Sequence, residues 1–296
     1  MNRVLNFGSL NIDYVYSLEH FVREGETVIS DCREIFVGGK GLNQSVALGS
    51  AGARVCHAGA VGTEDGQMLI DALVSHGVNT DFVERVNVPS GHTVIQLEKS
   101  GKNSIILFPG ANHTITDSQI ERVLSEFSAG DFVVLQNEIN GVGKIIDLAK
   151  DRGMTVVLNP SPMNEDILLL PLKKVDYLIL NEIEATDILG VPSGENLDEL
   201  LARRFPQSKI VLTLGENGSV YRDSDTRIQQ GIYKVPVVDT TGAGDTFTGF
   251  FIGAVSQGRD VKTALELAAK AAAISVTVKG AANSIPTLEQ VEKFSF

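Results

Sequence analysis

Short apolar runs alternate with longer segments of helical periodicity along most of the chain. The apolar runs predict strands at 4–7, 55–58, 132–136, 155–158, 177–180 and 209–214. Most are apolar at successive positions, which is typical of strands buried on both faces. Helices are predicted between them at 41–49, 66–76, 117–127, 142–151 and 197–203. This alternation predicts an α/β fold with a mostly parallel central sheet flanked by helices.

Two segments, about 11–37 and 90–108, contain strand-like pieces with no helix between them. In the second, Thr93, Ile95 and Leu97 alternate with other residues, and a turn at 100–103 leads into 104–108, so we predict a hairpin. Together these segments predict a small β-sheet that projects from the α/β core. Pattern alone leaves open whether this sheet is a lid, a dimer surface or an ordinary extension of the sheet edge.

The last part of the chain is predicted to be the most helical, with long alanine-rich segments at 242–256 and 261–278. No internal repeat, low-complexity run or linker divides the 296 residues. We therefore expect one domain covering 1–296.

Composition narrows the possible partners. The net charge of −12 opposes binding to nucleic acid through its phosphates, and it also opposes an anionic membrane surface. Two cysteines, Cys32 and Cys56, cannot form a disulfide framework, and the scattered histidines suggest no transition-metal site. No apolar run is long enough to span a membrane and the N-terminus does not resemble a signal peptide, so we expect a cytoplasmic protein.

The strongest chemical signal is a glycine-rich turn, Asp239-Thr-Thr-Gly-Ala-Gly-Asp245. A strand-like run, 235–239, precedes it and an apolar helix follows. Gly242, Ala243 and Gly244 carry little or no side chain, so their N–H groups can approach a ligand closely. Because unpaired N–H groups and the helix dipole favour negative charge, this turn predicts an anion site.

Asp245 at the same helix end is placed to remove a proton from an attacking hydroxyl, as phosphoryl transfer requires. The plain alternative is a tight turn in which Asp245 caps the helix. The turn matches neither a P-loop nor a dinucleotide-binding fingerprint.

Two motifs together resemble a known family. The 239–245 turn is similar to the C-terminal signature of the ribokinase-like carbohydrate kinases, also called the PfkB family. Gly38-Gly-Lys-Gly-Leu-Asn-Gln-Ser45 is similar to the family's other signature. The resemblance extends over essentially the whole chain and implies the ribokinase-like fold, with the small sheet as a lid.

The resemblance implies roles for particular residues. Asp245 would be the catalytic base, and Gly242, Ala243 and Gly244 would form the anion hole over the transferred phosphoryl group. The residues implied to bind the acceptor sugar are Asn11, Asp13, Gly39, Lys40, Asn43 and Glu138. Thr93, Ile95 and Leu107 fall where the family packs apolar lid side chains against the sugar, although ordinary core packing would explain them equally well.

On the nucleotide side, the resemblance implies ATP contacts from Asn181, Thr213, Gly215, Gly218 and Gly244. Glu184 would organise water around Mg²⁺. Two structural alternatives remain: Asn181 and Glu184 would also occur together as a pair that caps a helix, and residues 213–218 would also occur as a plain hairpin turn. Potassium would bind as an activator to oxygens at Asp239, Thr241, Ser275, Val278, Gly280 and Ser284, with valine at 278 where arginine is expected.

The implied activity is transfer of the γ-phosphoryl group of ATP to the primary hydroxyl of a free sugar, with D-ribose as the first choice. Deoxyribose, fructose or a nucleoside as acceptor, and a catalytically silent sugar-binding protein, are the alternatives. Phe36 and His92 depart from the family pattern near the acceptor site. A homodimer through the lid is also implied, because a projecting sheet leaves exposed edges and apolar surface in a monomer.

Overall fold

The computed structural model describes residues 2–192, 194 and 196–294. The described residues form thirteen strands: β1 (Arg3–Phe7), β2 (Asn11–Leu18), β3 (Cys32–Gly38), β4 (Arg54–Gly62), β5 (Asn79–Val86), β6 (Gly91–Glu98), β7 (Asn103–Phe108), β8 (Phe132–Leu135), β9 (Thr155–Leu158), β10 (Tyr177–Asn181), β11 (Lys209–Thr213), β12 (Ser219–Arg222) and β13 (Arg227–Gln230). They also form nine α-helices: α1 (Lys40–Ser50), α2 (Gln67–Ser75), α3 (Asp117–Ser125), α4 (Val142–Asp151), α5 (Glu182–Leu189), α6 (Leu197–Arg204), α7 (Ala243–Ser256), α8 (Val261–Ser275) and α9 (Leu288–Lys293).

Nine strands form the central sheet, in the order β13-β12-β11-β10-β9-β8-β1-β4-β5. All neighbouring pairs from β11 to β5 are parallel, and β12 and β13 add an antiparallel edge. The predicted fold class is therefore confirmed. The order of strands reverses at β1, which lies between β8 and β4. In open α/β sheets, ligands bind outside the carboxyl ends of the strands at such a switch point.

Two apolar cores cover the two faces of this sheet. Alternation within β1 sends Val4 into one core and Leu5 and Phe7 into the other. The first core contains residues of α1, α2, α7, α8 and α9, and the second contains residues of α3, α4, α5 and α6. The central strands are thus buried on both faces, which explains their continuously apolar sequences.

The smaller sheet has the order β3-β2-β6-β7. Its strands β6 and β7 form the predicted antiparallel hairpin, whereas β2 and β6 pair in parallel. Because β2 follows β1 directly and β3 leads directly into α1, the base of this smaller sheet lies at the carboxyl end of β1. It carries five exposed large apolar side chains: Ile35, Ile105, Ile106, Leu107 and Phe108.

Two predicted elements are wrong. The strand-like run at 235–239 is not a strand, because Pro236 has no N–H to donate and the N–H groups of Val238 and Asp239 donate to the Val276 carbonyl. The predicted helix at 261–278 ends at Ser275, and the next residues form a tight turn in which the Val278 N–H donates to the Ser275 carbonyl. Each departure places backbone of the glycine-rich turn against the segment that follows α8.

Candidate active site

A cleft of about 130 Å³ opens beyond the carboxyl ends of β9, β10 and β11. Its lining comes from distant parts of the chain: Lys40, Asn159, Ser161, Ile179, Leu180, Asn181, Glu184, Thr213, Gly242, Gly244, Asp245 and Thr248. Seven of the predicted site residues are among them. The topology therefore brings the two signature motifs together with the predicted nucleotide-binding residues.

Asp245 lies in the first turn of α7 but does not cap the helix. The N-cap residue is Gly242, and no side chain caps this end. The Asp245 side chain is buried, and its two carboxylate oxygens accept hydrogen bonds from Asn43 Nδ2 at 3.0 Å and Gln44 Nε2 at 2.9 Å. The capping alternative is thus excluded, and the carboxylate is held by α1 at the wall of the cleft.

Backbone amides beside Asp245 are available to an anion. Gly242 has φ 75°, a left-handed conformation that favours glycine. The Ala243 N–H donates to the Thr240 carbonyl at 3.2 Å, whereas those of Gly242, Gly244 and Asp245 have no partner among the described residues. The sequence predicted all of 242–244 as donors, but in this geometry the unpaired amides are those on either side of Ala243.

The first turn of α1 forms the opposite wall. Gly39 caps this helix with φ 90°, and Glu138 accepts the Lys40 N–H at 2.9 Å and the Ser9 hydroxyl. Burial lowers the pKa of the Lys40 ammonium group, but the carboxylates of Asp245, Glu138 and Glu184 outweigh burial and raise it above its ordinary value. Lys40 therefore remains a cation between the acceptor and nucleotide sides, which excludes a role as an ordinary surface charge.

Asp13 and Asn11 extend from β2 into the same region. Thr93, directly across from Asp13 in the β2–β6 register, donates its hydroxyl to the Asp13 carboxylate at 2.5 Å. Burial raises the pKa of Asp13 to about 6, against the effect of the Thr93 bond and with a further contribution from Glu138. Asn11 is buried and accepts a hydrogen bond from Asn112 at 2.7 Å.

Register also resolves the predicted apolar wall. The pairs Asp13–Thr93 and Thr93–Leu107 place Leu107 on the Asp13 face of the smaller sheet. Ile95 lies two residues from Thr93 on that same face. Phe36 pairs with Asp13 and shares the face, so this departure from the family pattern is an aromatic ring on the acceptor side.

His92 lies on the other face of the smaller sheet. It is adjacent to Thr93 in a strand, so its side chain points to the opposite side. There its ring packs against Phe108 at 5.0 Å and Tyr14 at 6.0 Å between centroids. His92 therefore contributes to packing on the face of the smaller sheet opposite Asp13.

On the nucleotide side, Asn181 and Glu184 form a complete capping box at the start of α5. Asn181 Oδ1 accepts the Glu184 N–H at 2.9 Å, and Glu184 Oε2 accepts the Asn181 N–H at 3.0 Å. Both residues nevertheless line the cleft, so capping and ligand contact are compatible here. Thr213 also lines the cleft. Gly215 and Gly218, by contrast, lie in the β11–β12 hairpin turn and are absent from the lining.

The residues predicted to hold potassium lie in two neighbouring segments. Asp239 accepts hydrogen bonds from the N–H and hydroxyl of Thr241 and from the Gly280 N–H at 2.9 Å. These bonds lower the Asp239 pKa against the opposing effect of burial. The hydroxyls of Ser275 and Ser284 donate to backbone carbonyls within their own turns. Val278 is partly exposed.

Five polar residues of this region were missed by sequence reasoning. Gln44 contacts Asp245, Ser9 contacts Glu138, and Asn159, Ser161 and Thr248 line the cleft. Two of them carried a signal: Gln44 lies inside the first signature, and Asn159 directly follows a predicted strand, as Asn181 does. Ser9 lies two residues after the end of β1, but a lone serine near the end of a strand has no distinctive chemistry.

Comparison with known proteins agrees with this geometry. The family model described as "pfkB family carbohydrate kinase" matches residues 1–288. A ribokinase of Haemophilus influenzae is 34% identical, with 97% of this chain and 96% of that protein covered. A deoxyribokinase of Salmonella typhi is 32% identical, with 97% of this chain and 96% of that protein covered. The structure of Arabidopsis thaliana ribokinase complexed with ribose and ATP matches with a TM-score of 0.88 at 32% identity, covering 100% of both chains.

Proposed function

Because this chain belongs to the pfkB family of carbohydrate kinases, we propose that it transfers the γ-phosphoryl group of ATP to the primary hydroxyl of D-ribose. The observation that carries this proposal is the buried Asp245 carboxylate beside the unpaired amides of Gly242 and Gly244. A base and an anion cradle at one helix end are what phosphoryl transfer to an alcohol needs.

Asp245 acts as the base in this proposal. Asn43 and Gln44 donate to its two oxygens and hold the carboxylate in place at the wall of the cleft. The acceptor hydroxyl lies against the carboxylate and loses its proton to Asp245 as its oxygen bonds to the γ-phosphorus of ATP. The bond from the γ-phosphorus to the oxygen that bridges it to the β-phosphate breaks, and ADP leaves with that oxygen and its electron pair.

Charge that develops on the transferred group is stabilised by main-chain donors and by Lys40. The amides of Gly242, Gly244 and Asp245 are fixed by α7 before any ligand binds, so no reorganisation accompanies the reaction. A preorganised donor of this kind typically contributes about 3 to 4 kcal/mol to transition-state stabilisation. Lys40 adds a positive charge whose surrounding carboxylates keep it protonated.

A free sugar fits the polar groups on the acceptor side. Asn11, Asp13, Asn43 and Glu138 offer acceptors and donors for several hydroxyls, and Asn43 Oδ1 is buried without a partner among the described residues. An unpaired buried polar atom costs about 1 to 3 kcal/mol, so a hydroxyl that pairs with it gains that much. The aromatic ring of Phe36 and the side chain of Leu107 close the Asp13 face with apolar surface.

The second acceptor to consider is deoxyribose, since a relative called deoxyribokinase is almost as similar as the ribokinase from Haemophilus influenzae. The two sugars differ by one hydroxyl, and a site that pairs this hydroxyl rejects the sugar that lacks it. The number of buried polar groups on the acceptor side favours the sugar with more hydroxyls. Fructose and nucleosides have no specific observation in their favour.

Magnesium fits the nucleotide side through Glu184, whose buried carboxylate lines the cleft. Within the described part of the chain no three His, Cys, Asp or Glu side chains converge on one metal site. This suits an ion that binds mainly to phosphates and water with few protein carboxylates. When bound, Mg²⁺ would neutralise phosphate charge.

Potassium fits the two segments joined by the hydrogen bond from the Gly280 N–H to Asp239, where the lowered pKa of Asp239 maintains a negative charge that a cation can bind. We expect K⁺ to raise the rate through the backbone of the glycine-rich turn. Activity that stays the same when tetramethylammonium replaces K⁺ would refute this role.

An acceptor panel tests the proposed function. ADP release is measured with ATP and D-ribose, deoxyribose, fructose, hexoses or nucleosides, and the product is identified by NMR. We expect the highest kcat/KM with D-ribose and phosphorylation at its primary hydroxyl. A higher kcat/KM with deoxyribose would assign the second acceptor, and no acceptor-dependent ADP release would refute kinase activity.

A further inference from the structure

We propose that Gln44 is a positioning residue that orients the Asp245 carboxylate for proton transfer. This inference rests on the proposed role of Asp245 as the base. Gln44 has no exposed surface and is not part of the cleft lining, so it acts through Asp245 and does not touch either substrate.

Both N–H groups and the oxygen of the Gln44 amide are hydrogen-bonded. Its nitrogen donates to Asp245 Oδ1 at 2.9 Å and to Asn159 Oδ1 at 3.0 Å. Its oxygen accepts from Gln136 Nε2 at 2.7 Å. Full pairing at zero exposure leaves the amide one orientation, since any rotation would strand a buried donor or acceptor.

The direction of the amide is set from one end by a backbone carbonyl. The Gly41 carbonyl can only accept, so Asn6 must present its nitrogen there, at 2.7 Å. The Asn6 oxygen then accepts from Gln136 at 2.9 Å. Gln136 consequently donates its second hydrogen to Gln44, which turns the Gln44 oxygen away from Asp245.

The other end is set in the same way. The Ile179 carbonyl accepts from Asn159 Nδ2 at 2.9 Å, so the Asn159 oxygen faces Gln44 as an acceptor. Both chains of amides therefore require Gln44 to turn its oxygen toward Gln136 and its two N–H groups toward Asn159 and Asp245. One of these groups must point at Asp245, and the orientation of the catalytic carboxylate follows from bonds anchored on β10 and α1.

Asn43 and Gln44 both donate to Asp245, but only Asn43 has an atom free to bind a substrate. Asn43 donates to the other Asp245 oxygen and keeps an unpaired oxygen on the acceptor side. Gln44 has no group left for a substrate, so removing its amide should change turnover and leave sugar affinity nearly intact.

The charged groups around Gln44 and Asp245 determine how a negative charge introduced at position 44 would affect the protonation of Asp245. Asp245 on α7, Glu138 after β8 and Glu184 on α5 are acidic, and Lys40 on α1 is the cation among them. On the other side of Gln44 the bonded partners are the neutral amides of Gln136 and Asn159, and Gln136 is bonded in turn to the neutral amide of Asn6. His57, which bonds to Ser45 at 2.7 Å, has its pKa lowered to about 4 by burial and stays neutral.

The test uses two variants of Gln44. Gln44→Met keeps the side-chain volume and removes the donors; we expect kcat to fall about 10- to 100-fold while KM for the sugar changes less than about threefold. Gln44→Glu keeps the shape and the bond from Gln136 but places a second carboxylate beside Asp245. Because two adjacent carboxylates retain a shared proton, the acid limb of the kcat profile should move up by at least about one pH unit.

Gln119→Met is the matched control. Gln119 is equally buried and donates one hydrogen bond, to the Gly59 carbonyl at 2.9 Å, away from the cleft. It should reproduce any loss of thermal stability without changing kcat or the pH profile. If Gln44→Met does not fold, the pH profile of Gln44→Glu decides alone.

Unchanged kcat in Gln44→Met together with an unmoved acid limb in Gln44→Glu would overturn the inference. Asp245→Asn is assayed alongside. An active Asp245→Asn would refute the proposed base, whereas an inactive one with Gln44 variants like the wild type would refute only the role of Gln44.

Discussion

At the scale of single residues, Gly244 illustrates how an absent side chain can serve a ligand and not the fold. A Cβ added at Gly244 would meet no atom within 4 Å, and the residue has no left-handed backbone conformation to maintain. Gly242, in contrast, has a positive φ, and its Cβ would approach Ala281 at 3.0 Å. The fold therefore does not require glycine at 244, whereas the proposed close approach of a phosphoryl group to its amide does.

Gly244→Ala should consequently separate stability from activity. We expect unchanged or slightly higher thermal stability, because alanine is favoured over glycine in a helix by about 1 kcal/mol. The added methyl group should lower kcat/KM for ATP at least about tenfold by blocking the approach to the amide. Gly143→Ala is the control, since Gly143 is the second residue of α4 as Gly244 is of α7, and its Cβ would make only ordinary contacts. Equal kinetics for the two variants would contradict an anion site at Gly244.

Asp13 shows the opposite balance: its burial lowers stability at neutral pH, and its proposed role is to bind the sugar. Its pKa of about 6 lies above the value of 3.8 expected in an unfolded chain. A raised pKa means that the folded state binds the proton more tightly than the unfolded state. Protonated Asp13 therefore adds to the free energy of unfolding, and this contribution is fully present below pH 3.8 and is lost as pH rises through 6. At neutral pH the ionised carboxylate destabilises the fold.

Asp13→Asn should then be more stable than the wild type at pH 8, by on the order of 1 to 3 kcal/mol. The difference should shrink as pH falls through 6 and vanish near 4, as followed by denaturation at each pH. His57 titrates in the same range but is common to both proteins, so it cancels. Sugar affinity should fall in the same variant. A variant that is less stable at pH 8 would contradict this account.

At the scale of elements, the start of α5 combines a structural cap with a place in the cleft. The chain contains a second complete capping box at the start of α9, between Thr287 and Gln290, away from the cleft lining. The two boxes share the same bonds, so they separate capping from ligand contact.

Asn181→Ala and Thr287→Ala should each cost about 1 kcal/mol of stability, the usual value of an N-cap. Only Asn181→Ala should also raise KM for ATP, which is measured by steady-state kinetics at saturating sugar. If Thr287→Ala raised that KM to the same extent, loss of stability would explain both effects, and the proposed role of Asn181 in ATP binding would be wrong.

The sequence predicts the features of this structure that depend on neighbouring residues, and it does not predict those that depend on contacts between distant residues. Strands such as β9 carry their burial in consecutive apolar residues, and the two signatures carry recognisable chemistry. The contact of Gln44 with Asp245 joins residues 201 positions apart, and no local pattern contains it. The edge strands β5 and β13 were missed because exposed polar positions interrupt their apolar pattern, and β12 was missed because it has only four residues. The pairing of Ala243 with Thr240 also could not be predicted, since it depends on the detailed shape of the turn.

At the scale of the whole molecule, the smaller sheet leaves apolar surface exposed on both faces. Ile105 and Leu107 lie on the Asp13 face, and Ile106 and Phe108 on the other. We propose that two copies associate through this sheet, the predicted homodimer, because contiguous exposed apolar side chains and open strand edges favour pairing. No helix within the described residues is long and apolar enough to cross a membrane.

Light scattering should give twice the chain mass of 31.7 kDa. The double variant Ile105→Lys, Ile106→Lys places charge on both faces of β7 and should shift the mass toward the monomer. Leu169→Lys, which changes a more exposed apolar residue outside the smaller sheet, should leave the mass unchanged. A wild-type protein that is monomeric at micromolar concentration would refute the dimer.

All three scales meet at the Asp245 carboxylate, which residues of α1 hold at the mouth of α7. The most direct measurement is therefore the turnover of Asp245→Asn with ATP and D-ribose, together with sugar affinity by calorimetry. We predict that kcat falls at least about 100-fold, because proton removal is lost, while the dissociation constant for the sugar changes less than about threefold. A variant that retains turnover within about tenfold of the wild type would contradict Asp245 as the base and with it the proposed mechanism.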